Sequence, residues 1–598
     1  ADFNDRILGK GVVRCSDTPG FLGNRVGVFA LQVGINEAIH CGLSVEEADA
    51  IMGRPLGIPK TGVFGLYDLI GIDLMADVVT SLSQILPDGD AFHEVGGDNK
   101  LISSMISDGL TGDKGKGGFY KNTTEGTKLV LQIEKGAIAS PLNYAKATKL
   151  TPKPVELALK ALAAQQEPLK PLLEGKNKYS NFARRVLARI LAYSAGLIPS
   201  VTETPQDIDD AMKLGFNWQR GPFEIMDAVG SEMVHDLLVE ADLPVPEVLE
   251  NGNLFYKVDG SALTVRHADG NYKPFSVPAG VIRFGMKRRT MIPILENNSA
   301  SLFVLNGFAE GVNDLRLIEF HTKANALTDG SMEIVAAAAN DHGSGIIVHN
   351  DAQHFSAGVD LNAFRDYIEQ QDWEGIDGFL KRFQNAVYKL KYTPVPVVGA
   401  PSGLAAGGGF EVLAHCDKLV THTNSVMGLV EAGVGVVPSG GGVKETFLRW
   451  FNKTNSWEEA AWKTWMNLGY GATGSSPELS SKLQYFRGGH DEAVMNRDRL
   501  LSRAISIIGE MQNSYTTPRK PFIQLANKNL LEKMDEFMQA GVDRGDFMPH
   551  DKTVALTIGA IMLNDTDDDG QCDETIFFER ERRAFISLAK TKETYARI

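Results

Sequence analysis

Residues 403–442 read GLAAGGGFEVLAHCDKLVTHTNSVMGLVEAGVGVVPSGGG, and the rest of the chain is best understood from this stretch. Glu411 follows a run of three glycines with one residue between, and a second acid, Glu431, comes twenty residues later. Glycines lack a Cβ, so their backbone can approach a ligand closely. Two carboxylates set by such backbone suggest acid and base chemistry on one small substrate.

The glycine run is predicted to open a helix. In EVLAHCDKLV the apolar residues have helical spacing and can share one buried stripe, namely Val412, Leu413, Cys416 and Leu419. The N–H groups at the start of a helix have no intrahelical partner and lie at its positive end, where they stabilise an anion such as an enolate oxygen. The upstream segment HFSAGVDL (354–361) follows the strand-like GIIVHN and offers a second close backbone approach at residues 356–358. An amide there would complete an oxyanion hole.

Four blocks in this order resemble the crotonase, or enoyl-CoA hydratase, superfamily from about residue 292 to the C-terminus. They are HTKANAL (321–327), HFSAGVDL, GGGFEVLAHCD and GLVEAGVGVVPSGGG. The resemblance implies that Glu411 and Glu431 match the family's two catalytic glutamates. It implies that the N–H groups of Val359 and Gly408 hold the thioester oxygen, although valine replaces the commoner alanine. Further substrate contacts are implied for Lys323, Ala324, Ala357 and Gly358. The alternative, two solvated surface acids, fits poorly with their apolar, glycine-flanked context.

Composition narrows the function classes. The chain has 598 residues with 43% hydrophobic and 23% charged residues, as an ordinary globular protein has. Its net charge of -15 argues against nucleic acid and anionic membranes as partners. No 18-residue apolar run or signal segment is present. The four cysteines are scattered without a CxxC pair, so we expect a cytoplasmic protein without a metal site.

The acidic run around Asp565, Asp567 and Asp569 mimics an EF-hand start, but Ile576 stands where the bidentate Glu belongs, which favours a solvated loop.

An internal repeat organises the first half. Residues 205–230 (PQDIDDAMKLGFNWQRGPFEIMDAVG) parallel residues 45–71, with Met212 matching Met52, Phe223 matching Phe64 and Asp227 matching Asp68. With DTPGFLGNRV (17–26), this repeat resembles the paired C-terminal helical domains of 3-hydroxyacyl-CoA dehydrogenases over about residues 1–245. The resemblance implies that Asn24 lies near the acyl substrate; a helix-start cap is the alternative.

That dehydrogenase family binds NAD on an N-terminal Rossmann domain that also carries the catalytic histidine. The sequence contains no strand-GxGxxG-helix fingerprint. We therefore expect a fragment of a longer protein, in which NAD serves the complete dehydrogenase. The hydratase is expected to need no cofactor.

The resulting prediction is a multifunctional fatty-acid β-oxidation protein of multidomain α and α/β class. Duplicated all-helical dehydrogenase C-terminal domains (1–125 and 181–245) precede a crotonase-fold ββα spiral domain (292–598), with linkers at 126–180 and, rich in β-structure, at 246–291. RFGMKRR (283–289) is expected to be a solvated linker, with a CoA phosphate contact as the alternative. The expected reaction adds water to a trans-2-enoyl-CoA. An enoyl-CoA isomerase and a non-catalytic scaffold that docks a thiolase remain as alternatives. An acyl-CoA thioester is the expected substrate, with a thiolase and further copies of the chain as possible partners.

Overall fold

A computed structural model describes residues 1–97, 99–133, 142–148, 151–164, 166–249, 252–564 and 570–598. The chain divides into two compact units, one of residues 11–276 and one that joins residues 1–10 to residues 277–598. The acidic run at 565–569 lies outside the described residues. Within the described residues, no helix is both long and apolar enough to cross a bilayer. The same residues hold no cluster of His, Cys, Asp and Glu side chains that could bind a metal ion.

Unit 11–276 consists of helices and two small sheets. Its helices are α1 (Leu22–Cys41), α2 (Val45–Ile51), α3 (Phe64–Ile70), α4 (Ile72–Ile85), α5 (Lys100–Ser107), α6 (Lys153–Ala163), α7 (Leu169–Leu173), α8 (Lys178–Gly196), α9 (Pro205–Gly215), α10 (Pro222–Val229) and α11 (Ser231–Glu240). Its strands are β1 (Tyr120–Asn122), β2 (Lys128–Leu131), β3 (Tyr144–Lys146), β4 (Tyr256–Asp259), β5 (Ala262–Arg266) and β6 (Tyr272–Pro274). Each group of three strands forms an antiparallel sheet.

Local sequence signals explain where several of these helices begin and end. Ser44 and Glu47 form the expected capping box at the start of α2. Thr204 caps α9, with Pro205 in the first turn. Helix α1 ends at Gly42, whose left-handed φ of 67° a glycine adopts without strain. The apolar residues of ILGKGVVRC (7–15) suggest a strand, but the structure has a π-helical turn, Phe3–Ile7, that leads into irregular chain, with a left-handed φ of 64° at Gly9.

The internal repeat extends beyond its helices. In the first copy, Asp68 accepts hydrogen bonds from the N–H groups of Phe119 and Tyr120; in the second, Asp227 accepts them from Phe255 and Tyr256. Each copy therefore closes on a three-stranded sheet, and the copies are not all-helical. Residues 126–180 contain strands β2 and β3 and helices α6 and α7 in place of the expected linker. The predicted β-rich segment at 246–291 contains the sheet that completes the second copy.

Among its described residues, the second unit contains twelve strands, seven of which form its main sheet. Its strands are β7 (Leu295–Glu296), β8 (Ala300–Leu305), β9 (Leu315–Phe320), β10 (Gly345–His349), β11 (Val397–Ala400), β12 (Leu404–Ala406), β13 (Lys418–His422), β14 (Val426–Gly428), β15 (Thr473–Gly474), β16 (Glu492–Val494), β17 (Ile523–Gln524) and β18 (Gln571–Cys572). The large sheet has the order β16-β13-β11-β10-β9-β8-β7, parallel from β16 to β9 and antiparallel from β9 to β7. Strands β12, β14 and β15 form a second, smaller sheet in the order β12-β14-β15.

Helices cover both faces of this sheet. They are α12 (Phe284–Lys287), α13 (Asp329–Asn340), α14 (Leu361–Glu369), α15 (Trp373–Lys391), α16 (Gly408–Ala414), α17 (Gly442–Thr454), α18 (Trp457–Gly469), α19 (Pro477–Lys482), α20 (Leu500–Gln512), α21 (Leu530–Arg544), α22 (Pro549–Met562), α23 (Glu574–Ala589) and α24 (Lys592–Arg597). Strand β10 shows why two layers are needed: Ile346 and Val348 face one hydrophobic core and Ile347 faces the other. A strand that is apolar on both faces must be covered on both.

Two further predictions need correction. Helix α16 ends at Ala414, so Leu419 lies on strand β13 and not on the helix, although it is buried as expected. Residues 283–289 are not a solvated linker: Phe284 is buried, and Arg283 and Arg288 form ion pairs with Asp498 and Glu319. These carboxylates already hold the two guanidinium groups, which also weakens the CoA phosphate alternative.

Candidate active site

Glu411 lies in the first turn of helix α16, as the glycine run predicts. Its Oε1 accepts hydrogen bonds from the N–H groups of Gly440 (2.7 Å) and Gly442 (2.8 Å). A Cβ on Gly440 would lie 2.6 Å from Oε2, and one on Gly442 would lie 2.8 Å from Oε1. Only glycine allows both peptide groups to approach this carboxylate so closely.

Glu431 begins the 3₁₀ turn Glu431–Val434 and returns its side chain to the same glycine run. A Cβ on Gly407 would lie 2.9 Å from Glu431 Oε1, so the carboxylate contacts the backbone just before α16. Oε2 of Glu431 is buried and has no hydrogen-bond partner in the described part of the chain. A buried polar atom without a partner costs free energy, and a catalytic role is one of the reasons for which native proteins retain such atoms.

The two carboxyl groups affect each other. Burial raises the pKa of Glu411 to about 7, while the N–H groups of Gly442 and Gly440 oppose the rise. Burial also raises the pKa of Glu431 well above its ordinary value, and the negative charge of Glu411 adds to that rise. Burial favours the protonated form of each carboxyl group, and repulsion between the two negative charges disfavours ionisation of both at once.

Val359 and Gly408, the predicted oxyanion pair, lie side by side. A Cβ built on Gly408 would lie 2.7 Å from Cγ2 of Val359, and one built on Gly358 would lie 3.7 Å from the Gly408 nitrogen. Residues 356 and 359 are held by single parallel bridges to Ala405 and Leu327. Within the described residues, neither the Val359 nor the Gly408 N–H donates to a protein acceptor. Two unpaired backbone donors in one place are the requirement for an oxyanion hole.

The four residues predicted to contact the substrate also lie close together, and two of them, Ala357 and Gly358, directly precede Val359 in the sequence. The Ala357 N–H donates to the Ala324 carbonyl at 3.1 Å, which places the turn Lys323–Asn325 against residues 357–358. Lys323, Ala324 and Ala357 are exposed, and Gly358 has a φ of 99°. Ala324 has a φ of 55°, and such left-handed geometry in a residue with a Cβ is concentrated at functional sites.

Asn24 is not part of this constellation, because it belongs to the other unit. It is the third residue of α1 and is exposed. Phe21 occupies the cap position without a side-chain cap bond, so the helix-start cap alternative is not observed. Its substrate contact stays a prediction.

Three residues that hold the site were missed by the sequence interpretation. Gly440 and Gly442 stand in the quoted SGGG motif, yet nothing local shows that their N–H groups meet Glu411. Glu581, on helix α23, accepts hydrogen bonds from the same loop. The signal that could have found the glycines is a three-glycine run before an amphipathic helix without a polar N-cap; no local pattern marks Glu581.

Comparison with known proteins agrees with this division of the chain. Residues 310–452 match the enoyl-CoA hydratase/isomerase family, and residues 20–122 and 182–258 match the 3-hydroxyacyl-CoA dehydrogenase C-terminal domain. A Bacillus subtilis protein named "Probable 3-hydroxyacyl-CoA dehydrogenase" is 28% identical over 100% of this chain and 74% of its own length. A Rickettsia prowazekii protein named "Putative fatty acid oxidation complex trifunctional enzyme" is also 28% identical, over 100% of this chain and 75% of its own.

Among solved structures, the enoyl-CoA hydratase of Bacillus halodurans is similar to part of this chain. The match covers 50% of this chain and 98% of the other at 16% identity, with a TM-score of 0.34. That score is too low to decide the fold, which rests on the strand order and the family matches.

Proposed function

We propose that this chain adds water to a trans-2-enoyl-CoA and forms a 3-hydroxyacyl-CoA. Its residues 310–452 match the enoyl-CoA hydratase/isomerase family, and its residues 20–122 and 182–258 match the 3-hydroxyacyl-CoA dehydrogenase C-terminal domain. One observation carries this proposal: buried Glu411 and the buried Oε2 atom of Glu431 adjoin two backbone N–H groups that have no protein acceptor in the described residues. Conjugate addition to a thioester needs an acid, a base and a site for a developing oxyanion.

Each group has a place in the reaction. Glu411, fixed through Oε1 by two N–H groups, takes a proton from water as the water oxygen bonds to Cβ of the enoyl group. The electrons of the double bond move toward the thioester oxygen, which the N–H groups of Val359 and Gly408 hold. Glu431 gives its proton to Cα, and the thioester carbonyl re-forms. A proton then passes from Glu411 to Glu431 through solvent and restores both groups.

NAD chemistry does not fit the described residues of unit 11–276. Dinucleotides bind at the carboxyl edge of parallel βαβ units behind a glycine-rich turn. The two sheets of this unit are antiparallel, and the sequence lacks the fingerprint. NAD as the cofactor of a complete dehydrogenase therefore stays a proposal about residues other than these. Association with a thiolase or with further copies of the chain likewise stays a prediction.

The main rival is an enoyl-CoA isomerase on the same fold. An isomerase moves one proton between two carbons of the acyl chain and can do so with a single carboxylate. The second buried glutamate, with an unpaired oxygen of its own, favours the hydratase. The same oxygen argues against a silent scaffold, which has no use for a costly buried carboxyl group.

The test follows the absorbance of the conjugated enoyl thioester with crotonyl-CoA, with and without NAD. We expect the absorbance to fall at the same rate in both mixtures, with no NADH formed, and to stay constant with a Glu411→Gln/Glu431→Gln double variant. Conversion of a trans-3-enoyl-CoA to the conjugated ester without hydration would identify the isomerase instead.

A further inference from the structure

A buried glutamate on the C-terminal helix α23 lies behind the loop that holds Glu411. We propose that Glu581 is a positioning residue for Glu411: its carboxylate fixes the loop Ser439–Gly442, and the loop fixes the carboxylate of Glu411. This inference rests on the proposed hydration and names a residue outside the part of the chain that the hydratase family model matches.

The N–H groups of this loop and of the first turn of helix α17 donate to two different carboxyl groups. Those of Gly440 and Gly442 donate to Glu411 Oε1. The N–H of Gly441 donates to Glu581 Oε2 at 2.8 Å, and that of Lys444 donates to Oε1 at 2.9 Å. The peptide groups between the two acids can therefore not rotate toward one acid without leaving the other.

Glu581 itself has little freedom. Its side chain is fully buried, and its backbone carbonyl accepts a hydrogen bond from the hydroxyl of Ser439 at 3.2 Å. Gln384, on helix α15, donates from Nε2 to the carbonyls of Ser439 (2.8 Å) and Phe578 (3.0 Å), so it ties the same loop to the same helix. A side chain whose position is set by packing and hydrogen bonds can in turn set the position of a loop.

The chemistry of the loop explains why a side chain with two oxygen acceptors is needed. Gly441 has a φ of 100°, a left-handed conformation, and the loop leads directly into the positive end of helix α17. Without Glu581, the N–H groups of Gly441 and Lys444 would be buried donors with no acceptor, and the loop would rearrange to pair them. Any rotation of these peptides moves the neighbouring N–H groups away from Glu411. A misplacement of about 1 Å at a catalytic group can cost about 10²-fold in rate.

The variant Glu581→Gln tests the inference because it keeps size and one acceptor but sets an NH₂ group against a backbone donor. The control is Glu574→Gln, on the same helix, where Glu574 is buried and bound to Lys391, Lys444 and Tyr392 but makes no hydrogen bond to residues 439–442. For Glu581→Gln we expect kcat with crotonyl-CoA to fall by about 10- to 100-fold while KM changes by less than about twofold. Glu574→Gln should lower the melting temperature and leave kcat within about twofold of the parent.

Amide hydrogen exchange gives a readout that does not need activity. We expect faster exchange at Gly440 and Gly442 in Glu581→Gln, but not in Glu574→Gln. Parental kcat and parental exchange at these glycines in Glu581→Gln would overturn the positioning role. If the parent chain does not hydrate crotonyl-CoA, the proposed function fails, and exchange at the two glycines alone decides: faster exchange supports the positioning role, and unchanged exchange rejects it.

Discussion

Two pairs of carboxyl groups in the chain have raised pKa values, and their contrast distinguishes acids with a structural role from acids that we propose to be catalytic. In the first helical copy, burial raises the pKa of Asp49 to about 7 and that of Asp68 to about 6. In the second unit, burial raises the pKa of Glu411 to about 7, and that of Glu431 is also raised. The direction and cause of the shifts are the same, so a raised pKa does not by itself identify a catalytic acid.

What differs is how the oxygen atoms are satisfied. Asp49 accepts from the N–H groups of Phe64 and Gly65 and from the hydroxyl of Tyr120, one or more donors on each oxygen. Asp68 likewise binds one N–H with each oxygen. Glu431 instead has a buried oxygen without a partner in the described residues. Every oxygen of the two aspartates accepts a hydrogen bond, whereas one oxygen of Glu431 accepts none from the described residues.

The second helical copy repeats the arrangement of the first. Asp209 accepts from the N–H groups of Phe223 and Glu224 and from the hydroxyl of Tyr256. An edge-to-face ring pair accompanies the aspartate in both copies, with ring centroids 4.6 Å apart for Phe64 and Phe119 and 4.7 Å for Phe223 and Phe255. Both oxygen atoms of the aspartate accept hydrogen bonds in each copy. We therefore interpret the motif as a structural link between each sheet and its helices.

The largest expected effect concerns turnover. Glu411→Gln and Glu431→Gln should each lower hydration of crotonyl-CoA by about 10² to 10⁴-fold, because each carboxyl group carries its own proton transfer. Asp49→Asn should leave kcat within about twofold, since its oxygens are already paired. Steady-state kinetics with all three variants makes the comparison. Near-parental turnover in either glutamine variant would reject the two-acid mechanism.

The next effect compares how Glu411→Gln and Asp49→Asn change the free energy of unfolding. The folded pKa of Glu411 is raised from 4.5 to about 7, so the folded state binds more protons, and stability is lost as pH rises from about 4.5 to about 7. That interval corresponds to about 3 kcal/mol at 1.36 kcal/mol per pKa unit. Glutamine mimics the protonated acid and keeps Oε1 for Gly440 and Gly442. Glu411→Gln should therefore be more stable than the parent at pH 8, with the advantage absent at pH 4.5.

Asp49→Asn should gain less stability at pH 8, because the raised pKa of Asp49 gives the same linkage but its hydrogen bonds are partly lost on substitution. Both oxygens of Asp49 accept backbone N–H groups, so an asparagine must direct its NH₂ at Phe64 or Gly65, at a cost of about 1 to 3 kcal/mol. Scanning calorimetry at the two pH values measures both variants. A gain for Asp49→Asn at pH 8 as large as that for Glu411→Gln would show that the hydrogen bonds of Asp49 do not distinguish it, and the proposed contrast would fail.

The sequence predicted the part of the site that lies in short motifs. Glu411 and Glu431 stand out because glycines flank them, and Val359 and Gly408 follow from the order of the blocks. Their chemical roles stay predictions, but the structure brings all four together. Short motifs did not reveal that the N–H groups of Gly440 and Gly442 bind Glu411 or that Glu581 holds Gly441. These contacts depend on how α23 and the loop pack together and not on local sequence pattern.

The fold was predictable to a similar depth. Capping residues located α2 and α9, and the apolar run of residues 345–350 located β10. The sheet that closes the first helical copy was missed because residues 126–180 are rich in Lys, Ala and Pro, which resembles a linker; the β-structure of the second was predicted at 246–291, but not its place in the copy. The strands of both sheets are specified by distant aspartates, Asp68 and Asp227, whose role is visible only when the chain has folded.

The smallest expected effect compares the two helical copies. Tyr256 is fully buried and its hydroxyl donates to Asp209 at 2.7 Å, whereas Tyr120 is half-buried and donates to Asp49 at 2.9 Å. Removal of either hydroxyl leaves a carboxylate oxygen short of a donor, and hydrogen bonds to charged groups contribute about 1.5 to 3 kcal/mol. Water can reach the vacated position beside Tyr120 more easily than beside Tyr256. We therefore expect Tyr256→Phe to lower the free energy of unfolding more than Tyr120→Phe, by about 1 kcal/mol, while both keep parental turnover of crotonyl-CoA. Equal losses would mean that exposure does not distinguish the copies. A loss of turnover in either variant would mean that a fully paired aspartate affects the hydration site, and would break the separation between the two kinds of carboxylate.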